Sequence, residues 1–112
     1  MANTRPIGIF DSGIGGLSVA RRIRETLPYE SLLYVADSAH APYGDKSEAY
    51  INQRATSIIE FLLDKQAKAI VVACNTATAA AIKNLRSKYH IPIIGVEPGV
   101  KPAAFNPSSG VI

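Results

Sequence analysis

The sequence predicts an α/β fold with a parallel sheet of about four to five strands flanked by helices. Three observations carry this expectation. Short apolar runs alternate with longer stretches of helical periodicity, in the order β-α-β-α-β-α-β. The clearest run, Ala69-Ile70-Val71-Val72-Ala73, is too short for a helix and suits a strand buried on both faces, as in a parallel sheet. Each run also ends in a compact polar or glycine-rich loop, and in open parallel sheets that carboxyl edge is where ligands bind. Hydrophobic residues make up 47% of the 112 residues, enough for a core rather than a disordered chain.

In chain order, Pro6-Ile7-Gly8-Ile9-Phe10 reads as the first strand, with Pro6 tolerated at its start. Asp11-Ser12-Gly13-Ile14-Gly15-Gly16 is a glycine-rich turn. Over residues 17–27, Leu17, Val19, Ala20, Ile23 and Leu27 form one apolar stripe opposite arginines, and Pro28 ends that helix. Residues 31–36 read as the second strand. A loop through Ala41-Pro42-Tyr43-Gly44-Asp45 follows, with Ser47 as N-cap of a long helix to about Lys65. Ala55, Ile58, Ile59 and Leu62 line one face of it. The third strand leads to Cys74, and Asn75 or Thr76 stands where the N-cap of the next helix belongs, a helix expected to run to about Tyr89. Ile91-Pro92-Ile93-Ile94-Gly95-Val96 reads as a fourth strand. Glu97-Pro98-Gly99 begins a helical turn continued weakly by residues 101–105, and Glu97 and Lys101 have the spacing of an exposed pair. Gly110-Val111-Ile112 looks like the start of a fifth strand, so the chain reads as the first part, residues 1–112, of a longer protein. Right-handed crossovers would place the helices over the sheet.

Composition narrows the function. Lys and Arg number 12 against 9 Asp and Glu, a net charge of +3, and the basic residues are dispersed over outer helix faces. No basic run alternates with aromatics, so nucleic acid is not an expected partner. A single cysteine forms no internal disulfide and no zinc-ligand spacing exists, so no metal is expected and the protein is expected to be cytoplasmic. No apolar run approaches a membrane span or a signal-peptide core.

Three loops leaving strand ends carry compact polar groups: Asp11-Ser12, residues 37–44, and Cys74-Asn75-Thr76. In a parallel sheet these ends share one rim. The glycine-rich turn lets a ligand come close and the helix start behind it favours an anion, but its spacing is neither the dinucleotide fingerprint nor a P-loop. The plainer reading is a tight βα turn capped by Asp11 or Ser12. A thiol at Cys74, beside exposed N–H groups at a helix start, is well placed to react as a thiolate; the same residue also fits an inert buried thiol. Asp11 could accept the thiol proton or orient a substrate ammonium group. Tyr43 and Gly44 offer a hydroxyl and a backbone N–H, or simply a turn begun by Pro42 and closed by Gly44. His40 reads as an ordinary loop histidine, and His90 as a helix-end cap.

Four segments together resemble the bacterial glutamate racemases of the aspartate/glutamate racemase superfamily, in order and spacing. They are Asp11-Ser12-Gly13-Ile14-Gly15-Gly16-Leu17-Ser18, residues 37–44 (DSAHAPYG), Ala73-Cys74-Asn75-Thr76-Ala77-Thr78 and Gly95-Val96-Glu97-Pro98. The resemblance covers about residues 7–104. It implies a flavodoxin-like domain, one of two similar α/β domains with the site between them. It further implies cofactor-independent interconversion of L- and D-glutamate for peptidoglycan synthesis. Carried over by position, Cys74 is one of two catalytic cysteines, Asp11 assists it, and Asp11, Ser12, Tyr43, Gly44, Asn75 and Thr76 hold the substrate. The family's second cysteine, in a Gly-Cys-Thr-His segment of the other domain, has no counterpart in these 112 residues. The expected partners are glutamate and a C-terminal domain; the resemblance also allows a homodimer. Two alternatives stand beside it: another isomerase of the same superfamily acting on aspartate or hydantoins, and an anion-binding flavodoxin-like module in which Cys74 is inert.

Overall fold

The structure, a computed structural model, describes residues 4–13 and 17–96. The expected glycines at 15 and 16, the helical turn and ion pair after Val96, and the fifth strand at 110–112 lie outside the described residues. Four strands form one parallel sheet in the order β2-β1-β3-β4: β1 (Ile7–Asp11), β2 (Leu32–Ala36), β3 (Ala69–Val72) and β4 (Ile93–Gly95). Helices α1 (Leu17–Thr26), α2 (Glu48–Asp64) and α3 (Asn75–Lys88) connect them, so the expected α/β alternation is present. The chain steps from β1 to β2 in one direction, then crosses back over β1 to β3. The reversal leaves a switch point between β1 and β3, the place where open α/β sheets bind their ligands.

The strands alternate their side chains between two faces. Phe10, Ile70, Val72 and Ile93 join Ala55, Ile59 and Leu62 of α2 and Ala77, Ala81 and Leu85 of α3 in the larger core. Ile9, Val71 and Ala73 point to the opposite face and meet Val19, Ala20 and Ile23 of α1. Full burial of a side chain such as Leu62 or Ile70 contributes roughly 1.5–3 kcal/mol. Gly8 lets α2 approach the sheet: a Cβ there would stand 3.0 and 3.1 Å from the two Leu62 methyls. Gly95 does the same for α3, with a Cβ only 2.5 Å from Thr78 Cγ2.

Several boundaries differ from expectation for local reasons. Ser47 caps α2 as expected, its hydroxyl accepting from the Tyr50 N–H. At α3, however, the N-cap is Cys74 and not Asn75 or Thr76, which are the first two helical residues. At the other end the C-cap is Tyr89, whose N–H donates to the Leu85 carbonyl, and His90 is exposed beyond it. β4 is three residues long where six were expected. Pro92 contributes only its carbonyl, which accepts from the Ile70 N–H, because proline has no N–H to give. The α1 stripe is only half covered: Val19, Ala20 and Ile23 pack on the sheet, while Leu17 and Leu27 are 50% and 44% exposed. Arg21, Arg22, Arg24, Lys65, Lys83, Arg86 and Lys88 are exposed as expected, and Lys68 pairs with Glu30 at 2.6 Å. Among the described residues no helix is long and apolar enough to cross a membrane.

Candidate active site

The two central strands bring Asp11 and Cys74 to the same end of the sheet. β1 and β3 pair in register through Phe10 and Val72, and the Ala73 N–H donates to the Phe10 carbonyl at 2.7 Å, one step beyond the last paired residues. Cys74 follows in extended conformation (φ −122°, ψ 123°) and turns the chain into α3. Its Sγ accepts from the Ala77 N–H at 3.4 Å, taking one of the donors that a helix start leaves without an intrahelical acceptor. The thiol in turn donates to Ser12 Oγ at 3.3 Å. Ser12 is therefore the bridge across the switch point, because its own N–H donates to Asp11 Oδ1 at 2.8 Å. Cys74 is 9% exposed, at the border between the core and the rim.

Asp11 is buried and held from the neighbouring strand. Tyr34 pairs with Ile9 across β1 and β2, so its ring lies on the same face as Ile9 and Asp11. Its hydroxyl donates to Asp11 Oδ2 at 3.1 Å and lies 3.2 Å from the Gly13 carbonyl. Burial, then the Asp11 charge and hydrogen bond, push the Tyr34 hydroxyl up to about 12, so it stays a donor across the working pH range.

The second rim loop is organised by Asp37. Its N–H donates to the Asp11 carbonyl at 2.8 Å, extending the β1–β2 ladder by one residue. Its carboxylate faces inward and is 6% exposed. Arg54 of α2 grips both oxygens, Nη2 to Oδ1 at 2.8 Å and Nε to Oδ2 at 2.9 Å. Tyr43 donates its hydroxyl to Oδ2 at 2.6 Å, and His40 Nδ1 lies 3.0 Å from Oδ1. Burial alone would raise this carboxyl. The hydrogen bonds from Arg54, Tyr43 and His40, with the Arg54 charge, outweigh it and hold the group at about 2. Burial first, and then the bond to Asp37, push the Tyr43 hydroxyl well above the usual tyrosine range.

Asp11, Ser12 and Cys74 thus form one connected cluster. Tyr43 is 1% exposed, packs against Phe10, and spends its hydroxyl on Asp37. Gly44 is exposed in the middle of a single 3-10 turn, Tyr43–Asp45, which Pro42 precedes and the Lys46 N–H closes onto the Tyr43 carbonyl. The expected turn is therefore begun by Pro42 but not closed by Gly44. Thr76 is half-buried and shares a shallow groove with Lys46 and Glu48. Asn75 is exposed and lines a cleft of about 830 Å³ between α2 and α3 that also reaches Val96. Neither groove is lined by Cys74. Sequence reasoning missed Tyr34 and Arg54. The signal for Arg54 was present: a charged residue beside the apolar positions 51, 55 and 58 of α2 needs a buried partner.

Residues 7–104 match the family described as Asp/Glu/hydantoin racemase. The chain is 61% identical over 110 residues to a glutamate racemase of Methylococcus capsulatus, covering 98% of this chain and 41% of that protein. It superposes on the glutamate racemase of Thermus thermophilus, solved with β-chloro-D-alanine, with a TM-score of 0.85 and 46% identity, covering 92% of this chain and 40% of that one. The Escherichia coli glutamate racemase, solved with L-glutamate and the activator UDP-MurNAc-Ala, matches with a TM-score of 0.83 at 42% identity, covering 95% of this chain and 41% of that one. The chain spans about two fifths of the length of the curated relatives it matches.

Proposed function

This chain belongs to the Asp/Glu/hydantoin racemase family, and on that premise we propose that it supplies one of the two bases of a cofactor-independent glutamate racemase. In this reading residues 1–112 form one α/β domain, and the second cysteine comes from a second domain. The product, D-glutamate, would serve peptidoglycan synthesis. The substrate assignment is supported by the L-glutamate held by the Escherichia coli relative. The D-configured analogue held by the Thermus relative fits a site that accepts both hands.

The observation that carries the reading is the thiol of Cys74 bonded at 3.3 Å to Ser12, whose N–H is bonded to Asp11, at the switch point of the sheet. Inverting a carbon takes one base on each face, one removing the α-proton and the other returning a proton. Cys74 Sγ, as the thiolate, is the base on one face, and Asp11, held beside it by the Ser12 backbone N–H, assists it as a neighbouring carboxylate and not through a relay along Ser12. The α-proton of an amino acid is weakly acidic, so the charge that develops on its carboxylate has to be stabilised. The first-turn positions of Asn75 and Thr76 and the hydroxyl of Ser12 offer neutral donors for that carboxylate. Tyr43 and Gly44 close the site from the second loop.

A second reading rests on one observation: Cys74 also caps α3 through the Ala77 N–H and is 9% exposed, as an inert structural thiol would be. The rim would then hold an anion without chemistry. Incorporation of solvent deuterium at the α-carbon, measured in D2O with each enantiomer of glutamate and aspartate and with hydantoins, separates these. Exchange restricted to glutamate supports the proposal. Exchange of aspartate or hydantoins in preference points to another isomerase of the family, and none at all to the binding module. With one cysteine in 112 residues, the chain alone is expected not to racemise glutamate efficiently; full turnover by it would refute the two-cysteine scheme.

A further inference from the structure

Resting on the glutamate reading of the rim, we infer that Arg54 and Asp37 are a positioning pair. They hold Tyr43 and Gly44 at a set place relative to Ser12 and Cys74. The hydrogen bonds define the device. Each Asp37 oxygen has two partners, Arg54 and His40 on Oδ1, Arg54 and Tyr43 on Oδ2. The Asp37 carbonyl also accepts from the His40 N–H at 3.0 Å, and its N–H is bonded to the end of β1. One buried carboxylate therefore joins three elements: the strand end carrying Asp11, the loop carrying Tyr43 and Gly44, and α2.

Helix α2 is a firm anchor for this purpose. Ile51 and Ala55, which flank Arg54, are buried in the larger core. Two residues before Arg54, Asn52 donates to the Ala80 carbonyl at 3.0 Å and so ties α2 to α3. The loop with Tyr43 and the helix start with Asn75 and Thr76 are thus both referenced to α2. A guanidinium suits the role because its planar fork meets both carboxylate oxygens at once, which the point charge of a lysine cannot do. Neither Arg54 nor Asp37 needs to touch substrate.

The test is the 112-residue chain with Arg54→Lys, followed by amide hydrogen exchange and by titration with L- and D-glutamate. Asp37→Asn, of the same shape, carries the same readouts should the first variant not fold. The expected result is exchange of the bonded loop amides, those of His40, Ala41 and Lys46, faster by roughly tenfold, with the rest of α2 and the sheet unchanged. Glutamate affinity should fall by roughly tenfold or more, because small misplacements of positioning groups are costly. Exchange that is unchanged at those three amides, or that rises equally along all of α2, overturns the inference and leaves an ordinary structural ion pair. If the variant frees those amides selectively while glutamate affinity stays that of wild type, the loop does not hold glutamate and only the positioning role of the pair survives.

Discussion

Replacing Asp37 by Asn removes the charge on which the second rim loop is built, while keeping the side-chain shape. Its cost can be worked from the structure. The carboxyl sits at about 2 against an ordinary value of 3.8, a difference of roughly two pH units, or about 2.5 kcal/mol of coupling to folding. The side chain is 6% exposed, so little of this is lost to solvent screening. The sign follows from the lowered value. The contribution is fully present above about pH 4 and is lost as pH falls through about 2. The groups facing the carboxylate are Arg54, Tyr43 and His40. Urea unfolding of wild type and Asp37→Asn between pH 7 and pH 2 isolates this residue, because Asn does not titrate and the other carboxylates cancel in the difference. At pH 7 the variant should be less stable by about 2–3 kcal/mol, a drop in Tm of roughly 10–20 °C for a domain of this size. The gap should close as pH falls from 4 to 2. A gap that stays constant over that range, or a variant as stable as wild type at pH 7, would refute the reasoning.

Two further substitutions test the packing and the cap. Gly95→Ala places a methyl 2.5 Å from Thr78 Cγ2, so it should cost about 1–3 kcal/mol by overpacking. Adding Thr78→Ser, which removes that methyl, should restore part of the loss in chemical denaturation. Cys74→Ala deletes the acceptor of the Ala77 N–H and should cost about 1 kcal/mol of stability. Cys74→Ser keeps an acceptor there and should unfold within about 0.5 kcal/mol of wild type, as a hydroxyl can still serve as N-cap.

The order of elements was legible because a strand buried on both faces has to be apolar throughout, and residues 69–73 meet that demand with few competing readings. The convergence of the rim loops followed from the same alternation, since strands joined by helical crossovers run parallel and bring all their carboxyl ends to one side. The identity of the α3 cap was not legible. Moving a helix start by one residue changes no hydrophobic pattern, and a thiol is a less common cap than the Asn and Thr that follow it. Arg54 and Asp37 lie 17 residues apart, and no local pattern pairs them; only the fold brings α2 over that loop. Tyr34 was hidden because its ring looks like an ordinary strand residue, while its hydroxyl reaches Asp11 across the β1–β2 pair. The poor cover of Leu17 and Leu27 was equally invisible, because an apolar stripe states what a helix can bury and not how much surface lies opposite it.

Whether the sulfur of Cys74 moves the proton is decided by following solvent deuterium into the α-carbon of separate L- and D-glutamate samples, with wild type beside Cys74→Ala and Cys74→Ser. Exchange from one enantiomer only, abolished in both variants although both remain folded, is the predicted result. Exchange that survives loss of the thiol, or wild type that exchanges neither enantiomer, would contradict it.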